Sequence, residues 1–129
     1  MNLVKYGIKF VNKLKILGIT FSNECNASDL NENYEARINN LMRICSQWSN
    51  RDLSLLGKIT ILKTFGISQF VYLMQSIGID EDRLDKINRI FFKFIWQKRF
   101  SNRKAYERVK RKVMYTDKEM GGLNMFNIK

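Results

Sequence analysis

From Trp48 to Ile77 runs the stretch that most limits what this chain can fold into. Leu55, Leu56, Ile59, Leu62, Phe65, Phe70, Leu73, Met74 and Ile77 follow one another there, and at 100° per residue they spread over well more than one face of a helix. A helix of that kind has to be covered on several sides. Ser54 stands in front of it as an N-cap, its hydroxyl placed to accept an amide of the first turn. One strip stays small and polar: Gly57, Thr64, Ser68 and Gln75, with Thr60, Ile61 and Val71 beside it. Something approaches closely there, either another helix packed against small residues or the groove of a nucleic acid.

The 129 residues amount to one domain or a piece of one, with 45% hydrophobic side chains and enough aromatics to fold despite a net charge of +11. Lys58 and Lys63 interrupt the longest apolar run, which falls short of the roughly 18 residues a membrane span requires. The N-terminus lacks the unbroken apolar core of a signal peptide, so an intracellular setting, nucleus or cytoplasm, is the expectation. Cys25, in a polar loop, and Cys45, on a helix face, do not make a disulfide framework. With no histidine in the chain, histidine-based triads and histidine-containing zinc sites are excluded.

Charge is concentrated rather than interleaved. From Arg83 to Lys112 there are twelve basic residues, among them Lys86, Arg89, Lys93, Arg99 and Arg103, against Asp85 and Glu107, so that 12 − 2 leaves +10 of the total +11 in this segment. A cluster of this sort makes a field that a polyanion feels, and each phosphate neutralised releases counterions.

Taken in order, Tyr6 to Phe21 reads as a short hairpin turning at Asn12-Lys13, with Leu14 to Phe21 as its second, β-prone run. Two strands alone are marginal, so they belong to a larger sheet or lean on the helices that follow. Asn31 or Asp29 is positioned to cap a helix from Glu32 to Trp48, whose Tyr34, Ile38, Leu41, Met42, Cys45 and Trp48 share a face. The central helix ends near Gly78. Asp80-Glu81-Asp82 then suits a helix start better than a metal site. From Glu81 to about Gln97, Leu84, Ile87, Phe91, Phe94 and Ile95 form the inner face, Lys86, Arg89 and Lys93 point roughly opposite, and Phe92 and Trp96 lie on the flank as buried aromatics or base-stacking rings. Lys98 to Lys104 is a basic linker, Ala105 to Met114 a shorter helix with Val109 and Val113 inward, and Gly121-Gly122 a tight turn before an apolar tail. A chain closing on such a tail reads as part of something longer.

Four landmarks in this order carry a family likeness: Lys15-Ile16-Leu17-Gly18-Ile19; Trp48 and Arg51 ahead of Leu53-Ser54-Leu55, with Gly57-Lys58-Ile59 following; Phe94-Ile95-Trp96; and Gly121-Gly122-Leu123. Together they resemble the region after the palm of a reverse transcriptase from a non-LTR, LINE-type retrotransposon. The resemblance implies a mainly α fold, a thumb-like bundle of three to four helices behind a short N-terminal β-hairpin, divided into an end-of-palm hairpin (1–24), a helical thumb (25–114) and a Gly-Gly-Leu segment (115–129) leading to a further region.

The resemblance also implies a role without chemistry. Thumb helices grip the primer-template duplex, RNA or RNA–DNA, and Leu55-Leu56-Gly57-Lys58 matches the opening of the helix that faces it. The expected nucleic-acid contacts are Gly57, Lys58, Ile61, Thr64, Ser68, Lys86, Arg89, Lys93, Arg99 and Arg103; Lys58 and Lys63 read equally as solvated side chains. The family's paired palm aspartates, which hold two magnesium ions, have no counterpart in this chain. Magnesium is therefore expected only in a palm supplied elsewhere, no cofactor is expected here, and the implied partners are the duplex and the palm and fingers of the same polymerase, with no membrane. The alternative is a basic helical adaptor for an acidic protein or an anionic membrane surface.

Overall fold

A computed structural model describes residues 7, 9–23, 27–100 and 106–128. The chain is mainly helical, with a two-stranded antiparallel hairpin at its N-terminal end. The expected sites of Cys25 and Arg103 lie outside the described residues, as does the start of the hairpin at Tyr6.

The hairpin pairs β1, Lys13–Ile16, with β2, Ile19–Ser22. Its turn falls at Leu17-Gly18 and not at Asn12-Lys13: both turn residues have positive φ, +48° and +82°, the combination that matches the right-handed twist of the flanking strands. The run from Leu14 to Phe21 is thus two strands folded on each other. The hairpin leans on the first helix, α1, Ala27–Ser49. There the Asn33 side chain acts as a surrogate strand edge, accepting from Thr20 N at 2.9 Å and donating to Thr20 O at 2.8 Å. Ser22 donates to Asp29, Lys13 pairs with Glu32, and Ile19 is fully buried. Since α1 begins at Ala27, Asp29 and Asn31 are not its caps. Asp29 receives the hairpin, and Asn31 accepts from Arg83.

Tyr34, Ile38, Leu41 and Cys45 form the inner face of α1 as the spacing predicts, whereas Met42 lies at the surface. The central rod runs without a break through α2, Leu55–Ile61, a π-helical segment, Leu62–Ile67, and α3, Ser68–Ile77. Ser54 caps it, accepting from Gly57 N at 3.1 Å. Gly78, at φ +70°, ends it. Within the π segment Gly66 faces Phe91 and Leu41; a Cβ there would stand 3.1 Å from the Phe91 ring.

Asp80 then caps α4, Glu81–Trp96, by accepting from Arg83 N at 3.1 Å. Ile87, Phe91, Phe94 and Ile95 are buried as expected, but so are Ile90 and Phe92, while Leu84 is only half-buried. The broader burial has a cause at the C-terminal end. A short helix, α5, Arg111–Tyr115, sets Tyr115 edge-on to Phe92, and the tail sets Phe126 edge-on to Phe91. α5 starts later than Ala105, and the residue it buries is Met114, with Val113 exposed. A 3-10 turn, Lys118–Met120, leads to Gly121 at φ +82°. Thr116 O then accepts from Asn124 N and Met114 O from Met125 N, both at 2.8 Å, which lays the tail back on the core.

Candidate nucleic-acid interface

Every fourth residue of the central rod from Leu56 to Ser76 is exposed: Leu56, Thr60, Thr64, Ser68, Tyr72 and Ser76. In an α-helix a step of four overshoots one turn by about 40°, so such a row normally winds around the rod. The π segment has a wider turn. It turns less per residue, which reduces the overshoot between Thr60 and Ser68.

The serine and threonine hydroxyls in this row each donate to the carbonyl four residues back: Thr60 to Leu56 O at 3.0 Å, Thr64 to Thr60 O at 2.9 Å, Ser68 to Thr64 O at 2.6 Å and Ser76 to Tyr72 O at 2.8 Å. With their protons committed, the oxygens face outward as acceptors. Larger side chains stand exposed along the same rod: Leu56, Phe65, Val71 and Tyr72. Thr64 and Ser68 are open to solvent rather than covered by a neighbouring helix. Gly57 and Ile61 are half-buried beside them, and the smallness of Gly57 has a local reason as well, because a Cβ would press on Ser54 Oγ at 3.3 Å.

The basic residues divide. Lys58 is not a solvated lysine: it is 8% exposed, and its ammonium donates to Ile95 O at 3.2 Å and Gln97 O at 2.7 Å, closing the C-terminal end of α4. A cation at that end offsets the partial negative charge of the free carbonyls, while burial pushes the ammonium below its ordinary value. Lys86 pairs with Glu35 of α1 at 2.8 Å, and Lys93 lies half-buried with its ammonium 6.0 Å from the Phe100 ring. Arg89 and Arg99 are exposed and make no ion pair among the described residues.

The aromatic candidates divide too. Phe92 is buried, with Arg111 at 4.1 Å over its ring, and offers no face to a base. Trp48 is half-buried, stacked on Phe65 at 6.1 Å with Arg51 4.8 Å over its ring. Asp80 spends its carboxylate on the cap of α4 and on Arg83. Among the described residues no three His, Cys, Asp or Glu side chains gather as metal ligands, and no helix is long and apolar enough to cross a membrane.

One arrangement was not legible in the spacing. Lys58, Trp96, Lys98 and Arg108 line a common cleft, although Lys58 and Arg108 lie on opposite sides of α4 in sequence and only tertiary packing joins them. Comparison of the chain with protein-family models, curated proteins and solved structures gave no match.

Proposed function

We propose that this chain grips a paired nucleic acid, an RNA or RNA–DNA duplex, as the thumb of a non-LTR retrotransposon reverse transcriptase does, with no chemical step of its own. The observation that carries the reading is the exposed hydroxyl row Thr60, Thr64 and Ser68 across the π segment of the central rod. A helix lies along a shallow minor groove only where its contact face is low, and the minor groove of an A-form helix displays 2′-hydroxyls that can donate to outward acceptors. Arg89 and Arg99, with Lys93 between them, supply charge toward phosphates, which gives affinity without reading sequence. The paired palm aspartates of the family it resembles have no counterpart in the sequence, so this reading assigns polymerisation to a palm supplied elsewhere.

Bulk on the row tests this reading. Thr64→Trp and Ser68→Trp keep the fold, since both positions are exposed, and should weaken RNA–DNA duplex binding roughly tenfold, about 1.4 kcal/mol. Equal affinity in wild type and both variants, with circular dichroism unchanged, would remove the row from the interface.

A further inference from the structure

Between the loop ahead of α2 and the C-terminal end of α4 lies an open cleft of about 540 Å³, within the size range of ligand pockets. Leu53, Leu55 and Val109 give it apolar walls, and no carboxylate lines it. Its polar groups are mainly donors. Lys98 and Arg108 are exposed at the cleft, and Lys58 closes α4 with two of its three N–H groups, leaving one uncommitted.

Trp96 adds a second, independent observation. Its indole nitrogen is the one buried side-chain nitrogen or oxygen without a hydrogen-bond partner among the described residues, and Trp96 lines this same cleft. Native proteins rarely leave a buried donor unmatched. Three cations and a spare N–H, with no acid to answer them, suit an oxyanion with several acceptor oxygens, and the Arg108 fork matches two oxygens of one phosphate. The apolar walls and the half-buried indole suit a flat organic body attached to it.

We infer that this cleft binds a nucleotide through its phosphate, with Arg108, Lys98 and Lys58 facing the phosphoryl oxygens and Trp96 completing the donor set. The site shares no residue with the hydroxyl row and needs no duplex. The nucleotide is either a free nucleoside monophosphate or the phosphorylated end of a strand.

Calorimetric titration of the full chain with AMP, adenosine and inorganic phosphate tests the assignment. AMP should bind at least about tenfold more tightly than adenosine, the phosphate carrying the difference. Arg108→Gln and Trp96→Phe should each weaken AMP by roughly threefold to tenfold, the scale of one lost hydrogen bond. Circular dichroism should show both variants folded, since Arg108 is exposed and the indole N–H has no protein partner to lose. A 5′-phosphorylated oligonucleotide that outbinds both AMP and its 5′-hydroxyl counterpart identifies a strand end as the source; a preference for AMP identifies the free nucleotide. AMP binding no better than adenosine, or unchanged AMP affinity in either folded variant, overturns the proposal.

Discussion

Gly122 shows how much one missing methyl group can decide. A Cβ at this position would stand 1.9 Å from Thr116 O and 2.3 Å from its carbonyl carbon, so any side chain forces the backbone apart and releases Asn124 and Met125 from their 2.8 Å bonds. Gly122→Ala should cost about 2–4 kcal/mol in urea unfolding. Gly121→Ala, strained only by its left-handed φ, should cost about 1–2 kcal/mol; the reverse order would contradict this account of the Gly-Gly pair. Tyr34 carries a pH dependence of definite sign. Burial pushes its phenol from 10.0 up to about 12, with Arg83 opposing and Asp80 adding to the rise. The unfolded chain therefore loses the proton first, and the stability Tyr34 contributes is fully present below pH 10 and is lost as pH rises toward 12. Unfolding curves across that window should fall more steeply for the wild type than for Tyr34→Phe. Equal slopes would show that the phenol titrates alike in both states.

At the scale of elements, the helix boundaries set by side-chain caps were readable from sequence. Ser54 and Asp80 cap, and Gly78 stops, where their chemistry says they should. The hairpin turn was not, because Leu17 takes a positive φ that its side chain disfavours, and Asn12-Lys13 offered the more ordinary turn. Nor was the beginning of α1: the residues up to Asn31 read as a polar loop, with the helix from Glu32, whereas α1 begins at Ala27 and turns Asp29 toward the hairpin. Lys58 could not be placed by a helical wheel, since what holds it is the end of a different helix. The π segment has no compositional mark either. Asn33 gives a direct test of how the hairpin is held. Asn33→Ala removes both bonds to Thr20 and should accelerate amide exchange across residues 13–22 while leaving the core of α4 protected. Unchanged exchange in the hairpin would mean that burial of Ile19 alone suffices.

For the molecule as a whole, a mainly helical fold behind a short hairpin was legible in the sequence, and the cover the rod needs is now specific: α1 and α4 pack on it, and the C-terminal segment closes over α4 through Tyr115 of α5 and Phe126 of the tail. Of the expected contact residues, the structure leaves Thr64, Ser68, Arg89 and Arg99 exposed, whereas Lys58 is turned inward and Lys86 is drawn to Glu35. Burial and ion pairing, rather than periodicity, decided which cations remain for a polyanion. Affinity for an RNA–DNA duplex at about 50 and 200 mM salt tests the gripping role most directly. Three phosphates neutralised by Arg89, Lys93 and Arg99, at a slope near −0.9 each, predict a loss of about fortyfold over that range, with little dependence on sequence. Affinity that holds steady between the two salts, or no binding at the lower one, would contradict it.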